Sequence, residues 1–356
     1  VSTAGDDPRR CRGGASWPLV AVALVLALAT AAFSMRAAMT TAERPPLRGS
    51  FGAAKAAEAI DVIRRLSEGL IALQKPDGGY DLGAGGEYNF QIERIASSAL
   101  ATAALAQVRR LGPEVKVEGL DAALARGLDF LRKQQIETGP IGHSEPKDQY
   151  SQIDATSAGI LAFFLAGRAD DAEALRRAAV AMRRFSRGGL RNGYTRAAAT
   201  MAMDRVARLA EFEKIFDRPL RRIVDIRPRT QASEKSAVLA TEWNVAEAIA
   251  RVVLGLRKGR DPFPAQVVVA TLEDLPVWSH QSSDCQAWWM QAWLVARSGA
   301  EEAETWFHDL LTVLQTEAIG EAGTIPGGWY ANTLSQTAGA ILALCEGFGP
   351  EVIYRK

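Results

Sequence analysis

From Ala54 onward, amphipathic helical segments alternate with helical segments built of small apolar residues, and glycine-rich turns separate them. Ile60, Ile63, Ser67, Leu70 and Leu73 recur at three- and four-residue steps, with Glu58, Arg64, Arg65 and Glu68 between them. That spacing predicts a surface helix with one buried stripe. Pro76 and Gly78-Gly79 end it, because proline lacks a donor and glycine accepts positive φ. The next segment, "QIERIASSALATAALAQV" from Gln91 to Val108, is small and apolar on nearly every side, as in a helix packed on several faces. An outer amphipathic helix, a turn and an inner helix thus form one unit.

The unit recurs. Leu120 to Gln135 leads through "ETGPIGH" into "QIDATSAGILAFFLAG", and Ala174 to Phe185 leads through "RGGLRNGY" into "TRAAATMAMDRVARLA". "SAVLATEWNVAEAIARVVLGL" and "SSDCQAWWMQAWLVARSG" read as further inner helices. The last unit is "ETWFHDLLTVLQ", "IPGGWY" and "NTLSQTAGAILALCEGFG". Gly78, Gly139, Gly188 and Gly327 mark the turns, with a unit of about 45 to 60 residues, and about six units fit. Only Gln266 to Val269 carries a strand-like run. The expected class is all-α, a stacked or closed array of helix pairs.

The apolar content of 48% supports a sizeable core. With 42 basic and 41 acidic residues, no global field recruits nucleic acid. Cys11, Cys285 and Cys345 are far apart and form no disulfide framework or C-x-x-C pair. Arg9, Arg10 and Arg12 precede an apolar run from Trp17 to Met35, long enough to cross a bilayer core of about 30 Å. The arginine bias predicts a cytoplasmic N-terminal segment (1–16), a transmembrane or signal-anchor helix (17–35), a linker (36–53) and an exported helical domain (54–350). Ala29-Thr30-Ala31-Ala32 also offers small residues to a signal peptidase.

Gln74-x-x-x-Gly78-x-Tyr80 resembles the Gln-x-x-x-Gly-x-Trp repeat of squalene and oxidosqualene cyclases, and Gly327-Gly328-Trp329 is a shortened echo. Gln135 to Gly139 keeps the spacing with Ile141 in the aromatic place, whereas Arg184 and Leu190 flank Gly188. The resemblance extends from Ala54 to Gly349. It implies the α/α toroid of terpenoid cyclases and protein prenyltransferase β subunits, with about six helix pairs around a central cavity. A right-handed solenoid of helix pairs is the alternative.

In such a ring the N-terminal ends of the inner helices open at one mouth, where Glu93, Asp154, Arg196, Glu242 and Asp284 fall. Acidic residues there also serve as caps or dipole partners. Ser283-Asp284-Cys285-x-Ala287 resembles the Asp-Cys-Thr-Ala-Glu motif of oxidosqualene cyclases, whose aspartic acid protonates the substrate. Gln286 replaces the threonine and Trp288 the glutamate. The resemblance implies Asp284 as Brønsted acid, with Asp154 and Glu242 as further acidic candidates. Trp243, Trp288, Trp289, Trp293, Trp329 and Tyr330, with Arg196, are the candidate ligand-binding set. Seven of the eight tryptophans lie from Trp243 onward, and tryptophans at helical spacing also serve as core.

Zinc held by Asp284, Cys285 and His280 or His308 is the other chemistry weighed. Adjacent Asp284 and Cys285 diverge by about 100° on a helix, so no metal and no cofactor is expected. His143 sits in a turn. No phosphate-binding loop, nucleophile elbow or H-E-x-x-H occurs. The arginines of "DRPLRRIVDIRPR" form a solvated connection or a contact for anionic lipid or a partner. Three functions follow: a toroid binding an apolar (isoprenoid or lipid) or peptide ligand, an isoprenoid-processing enzyme, or a scaffold of an envelope complex.

Overall fold

The computed structural model describes residues 49–83, 90–142, 149–185, 193–207, 242–253, 263–279, 283–328 and 331–349. The segment expected to cross the membrane, 17–35, lies outside them. Among the described residues no helix is long and apolar enough to span a bilayer.

The helices are α1 (Gly52–Ala72), α2 (Phe90–Leu111), α3 (Leu120–Gln134), α4 (Gln149–Ala166), α5 (Ala172–Phe185), α6 (Gly193–Ala207), α7 (Glu242–Val253), α8 (Phe263–Glu273), α9 (Cys285–Ser298), α10 (Ala303–Val313) and α11 (Thr333–Gly347). Among the described residues there is no strand. Gln266 to Val269, which alternates like one, lies inside α8, where Val267 and Val268 are buried and Val269 is exposed.

Neighbour packing closes a ring. α2 lies against α4, α4 against α6, α6 against α7, α7 against α9, α9 against α11, and α11 returns to α2. The array is therefore a toroid and not an open solenoid. Helices α1, α3, α5, α8 and α10 pack outside it, each seated on two successive inner helices. Composition explains the two layers. α1 buries Ala59, Val62, Ile63, Leu66 and Leu70 and pairs Lys55 with Glu58 and Arg64 with Glu68 on its outer face. α2 buries Ala99, Ala101, Ala103, Ala104 and Ala106 completely, and all of α11 is buried. Alanines let neighbouring inner helices approach from both sides.

The turns repeat at atomic detail. Gly78, Gly139 and Gly323 have φ of +90°, +108° and +70°, a region that costs other L-residues strain. Around them the same backbone bonds recur: Lys75 N to Gly79 O, Ile136 N to Pro140 O and Gly320 N to Thr324 O, at 2.8, 2.9 and 2.9 Å. The last copy is therefore residues 319–325, not the more conspicuous Gly327-Gly328-Trp329. The turn at Gly188 lies outside the described residues.

Each turn docks on the next outer helix. The Gln74 side-chain amide donates to Gly78 O (3.1 Å) and to Ala123 O of α3 (2.9 Å), while its oxygen accepts from Arg126 (2.7 Å). Gln135 repeats this with Gly139 O (2.8 Å), Ala174 O of α5 (2.9 Å) and Arg177 (2.7 Å). A Cβ on Gly78 or Gly139 would meet the Arg126 or Arg177 carbonyl oxygen at 2.2 or 2.4 Å. Gly323 approaches Arg65 O of α1 in the same manner, so the last turn docks on the first outer helix. Each turn is also tied inward: Tyr80 N donates to Ser98 Oγ, Ile141 N to Thr156 Oγ1 and Ile325 N to Thr337 Oγ1, at 3.1, 3.0 and 3.0 Å.

Gly78→Ala combines the strained φ with that carbonyl clash and should cost about 2–4 kcal/mol in urea unfolding. Gln135→Ala strands two carbonyls and Arg177 and should cost about 1–3 kcal/mol. A fully neutral outcome for either would refute the docking role. Asp77 adds a pH dependence. Burial opposes its charge, but Arg94 (2.8 Å) and the Gly79 N–H outweigh that and hold its carboxyl below the usual aspartate value. A depressed folded-state pKa gives stability that is present at neutral pH and lost as pH falls through that value. Asp77→Asn should flatten the acid limb of a stability-against-pH curve and leave the alkaline limb unchanged.

Candidate mouth of the ring

The repeated hydroxyl bonds identify which side of each inner helix faces the axis. Ser98, Thr156 and Thr337 point to the outer layer, as does Thr102, whose side chain fills the space of a Cβ on Gly127 of α3. Positions two residues before them lie about 200° around the helix, on the axis side. These are Ala96, Asp154 and Ser335. Ala96 and Asp154 are half-buried and Ser335 is buried, while Ala198 of α6 and Asn244 of α7 are half-buried near the start of their helices. Further along the axis side come Leu100, Ala158, Leu161 and Leu342, all buried. The axis side thus passes from half-buried small and polar residues near the N-terminal ends of the inner helices to buried apolar ones further along.

Contacts between neighbours show the same polarity. Gln336, in the first turns of α11, accepts from Cys285 N (2.7 Å) and donates to Ser283 O (2.6 Å), which fixes the start of α9. Asn332 caps α11 by accepting from Ser335 N and donates to Ser97 Oγ of α2 at 3.1 Å. N-terminal turns meet N-terminal turns, so α9, α11 and α2 run parallel and direct their free N–H groups and positive dipole ends to one side.

Asp284 is the N-cap of α9, with one carboxylate oxygen accepting from Gln286 N at 2.8 Å. It is half-buried at the rim. Asp154 shares the rim from α4, but on the axis face. Glu93, Arg196, Glu242 and Trp243 belong to the first turns of α2, α6 and α7. Their side chains, and all of His143, His280, Trp329 and Tyr330, lie outside the described residues. Trp288, Trp289 and Trp293 are buried in α9, and Trp288 meets Trp278 of the preceding turn at 6.2 Å, tilted 57°. These tryptophans pack as core around the mouth.

Cys285 is fully buried, and its thiol is pushed up first by burial and then by the neighbouring Asp284 charge. A metal would need the thiolate, which this environment disfavours. His308 is engaged in the outer layer, with Nε2 3.0 Å from Phe51 O. Among the described residues no three His, Cys, Asp or Glu side chains come together.

Sequence reasoning missed Gln107 and the pair Arg297–Glu346. Arg297 of α9 reaches Glu346 of α11 at 2.8 Å with both side chains nearly closed to solvent, and its guanidinium lies 4.1 Å from the Trp293 ring centroid. Gln107 is buried on α2 with neither amide atom partnered. Alanine-rich surroundings give a lone glutamine no pattern. Counting from Ser98 would have found it.

No family model matches the sequence, and no curated protein matches it. Solved structures do match by fold. The GH76A alpha-1,6-mannanase from Salegentibacter sp. aligns with a TM-score of 0.56 at 10% identity, over 81% of this chain and 98% of that one. The type II terpene cyclase MstE from Scytonema aligns in its apo form at 0.54 and 13% identity, over 82% and 98%. A variant of MstE in complex with geranylgeranyl dihydroxybenzoate aligns at 0.53 and 13%, over 82% and 97%. At these identities the likeness shows the α/α-toroid fold, shared with a terpene cyclase and a glycoside hydrolase.

A buried neutral thiol should react slowly. Iodoacetamide at pH 8 should leave Cys285 and Cys345 unmodified in the native protein and alkylate both in denaturant, read by peptide mass spectrometry. Rapid native modification of Cys285 would show an accessible thiolate at the mouth.

Proposed function

We propose that this chain is a membrane-anchored, exported toroid protein that binds an apolar ligand, of isoprenoid or lipid class, in the centre of its ring without full cyclase activity. One observation carries the reading: the axis side of the inner helices passes from small or polar half-buried residues at one mouth to apolar residues within. Ala96, Asp154, Ala198 and Asn244 make that rim, and Leu100, Leu161 and Leu342 follow. A concave apolar site with few polar groups is the usual form of a small-molecule site. The terpene cyclase that shares the fold accommodates geranylgeranyl dihydroxybenzoate, which supports an isoprenoid over a peptide. Residues 17–35 serve as the anchor, with the N-terminus cytoplasmic. Trp243, Trp329, Tyr330 and Arg196 belong to the proposed lining.

Catalysis by Asp284 is the second reading, and Asp154 is the observation that favours keeping it. Asp154 faces the axis beside apolar positions, where a carboxyl group suits proton donation better than a helix cap does. Glu242 would be the third acid. The missing threonine and glutamate beside Asp284, and its capping bond, favour binding without turnover.

Lipid extraction and mass spectrometry of the purified protein should recover an apolar ligand. Ala96→Phe should fill the mouth and lower affinity for a polyprenyl probe by about tenfold or more with an unchanged unfolding midpoint. Unchanged binding in that variant would count against the cavity and favour a scaffold. Turnover of a polyprenyl substrate that Asp154→Asn or Asp284→Asn abolishes would establish the enzyme instead. A retained peptide would redirect the ligand class.

A further inference from the structure

Charge is segregated around the ring although it cancels over the chain. From Glu173 to Arg229 fifteen lysines and arginines stand against six acidic residues, whereas no lysine or arginine occurs between Arg297 and Arg355, where eight acidic residues fall. Among the described residues, the outer helices of these two stretches are α5 and α10. α5 exposes Arg176, Arg183 and Arg184 along one face, and Glu173, paired with Arg176 at 2.6 Å, is its one acid. α10 and its flanking turns expose Glu301, Glu302, Glu304, Glu317 and Glu321, with Asp309 half-buried. On α1, by contrast, Lys55 meets Glu58 and Arg64 meets Glu68, so charges cancel within the helix. Dipole pairing accounts for basic residues in the last turn of α5 and acidic ones in the first turn of α10. It does not account for Arg176 in the first half of α5, or for Glu317 and Glu321 beyond the end of α10.

The ring puts these two faces on opposite sides. α5 is seated on α4 and α6, the second and third inner helices, and α10 on α9 and α11, the fifth and sixth, so half the ring separates them. We propose that the chain associates side to side with a second copy of itself, the basic face of α5 docking on the acidic face of α10 of the next copy. Charge complementarity selects this occupant, because the chain carries both signs on faces of matching form. Both outer helices run toward the mouth, so a sideways translation brings the last turn of α5, with Arg183 and Arg184, level with Glu317 on the neighbour. Arg176 falls in the same way toward Glu304 and Asp309. The contact is heterologous, and its two halves lie across the ring from each other, so every assembly leaves one unmatched face at each end. Copies therefore add in a row with their mouths on one side, and no twofold dimer satisfies both faces. Exposed ion pairs are individually weak and screened by salt, so the association depends on their number and on ionic strength.

The test follows the size of the full chain in nonionic detergent by sedimentation velocity. At about 0.02 M salt the weight-average sedimentation coefficient should rise with protein concentration, and at about 0.5 M salt it should fall to the value of a single copy. Arg183→Glu with Arg184→Glu, and separately Glu317→Lys with Glu321→Lys, should each abolish the rise with an unchanged unfolding midpoint. Mixed in equal amounts, the two reversed proteins should associate again, since each supplies the sign that the other lacks. A loss caused by misfolding would not be rescued in this way. Failure of the folded variants to associate in the mixture overturns the pairing of the two faces. Association that ignores both salt and the reversals also overturns it and assigns self-association to the apolar segment 17–35. A single copy at every salt concentration overturns it as well, and binding of that copy to phosphatidylglycerol vesicles, lost in the doubly reversed α5 variant, would give the basic face to anionic lipid.

Discussion

At the first two turns, the side-chain amide of one glutamine joins each helix pair to the next. Gln74 and Gln135 each bridge their own turn to a carbonyl of the next outer helix and accept from an arginine one turn further along that helix. Arg126 and Arg177 contribute twice, since their carbonyl oxygens occupy the space that a Cβ would need at Gly78 and Gly139. Glutamine, glycine and arginine are thus one device spread over two units. The absence of a Cβ at the glycine, with the amide satisfied on both sides, sets the distance and the rotation between successive outer helices, and the ring's curvature follows from their repetition.

That curvature dictates what the inner helices can be. Packed on two neighbours and an outer helix, α2 and α11 keep alanine, serine, threonine and glycine where close approach is needed. Their hydroxyls are not idle: Ser98, Thr156 and Thr337 take the backbone N–H that each turn would otherwise leave buried and unpaired. With three faces committed, only the axis side of an inner helix is available to a ligand. α9 departs from its neighbours by filling with tryptophan instead of alanine, and its last turn carries Arg297 into the interior. The ring is consequently uneven, aromatic on one arc and small on the other.

Much of this architecture is legible in the sequence because the device is local. Gln74 to Tyr80 and Gln135 to Ile141 each fit within seven residues, and the small-residue segments stand out from the amphipathic ones. The final turn is less legible because Ile319 occupies the glutamine place and the glycine pair at 327–328 is more conspicuous than Gly323. Gln266 to Val269 is ambiguous in sequence for a different reason. A short apolar run with β-branched residues has no distinctive period, and seating on α7 and α9 makes it helical. At the site, Asp284 was conspicuous through its motif, yet its capping bond is a local matter. Asp154 gains meaning only from the side of the helix on which it falls, and that side is known once a hydroxyl in the same helix is seen to face outward.

The seam where the ring closes completes the physical picture. Ile319 cannot donate to α1, so the outer layer there relies on apolar packing and on Gly323 lying against Arg65 O. The polar tie moves inward instead. Asn332 bonds Ser97, Leu334 N donates to Leu82 O at 3.2 Å, and Gly83 gives way to the Thr333 side chain. Closing a chain of this length costs entropy that grows only slowly with loop size, so the last contact need not be stronger than the others. It must be specific. The hydrogen bond from Asn332 to Ser97 sets the register of the final inner helix against the first.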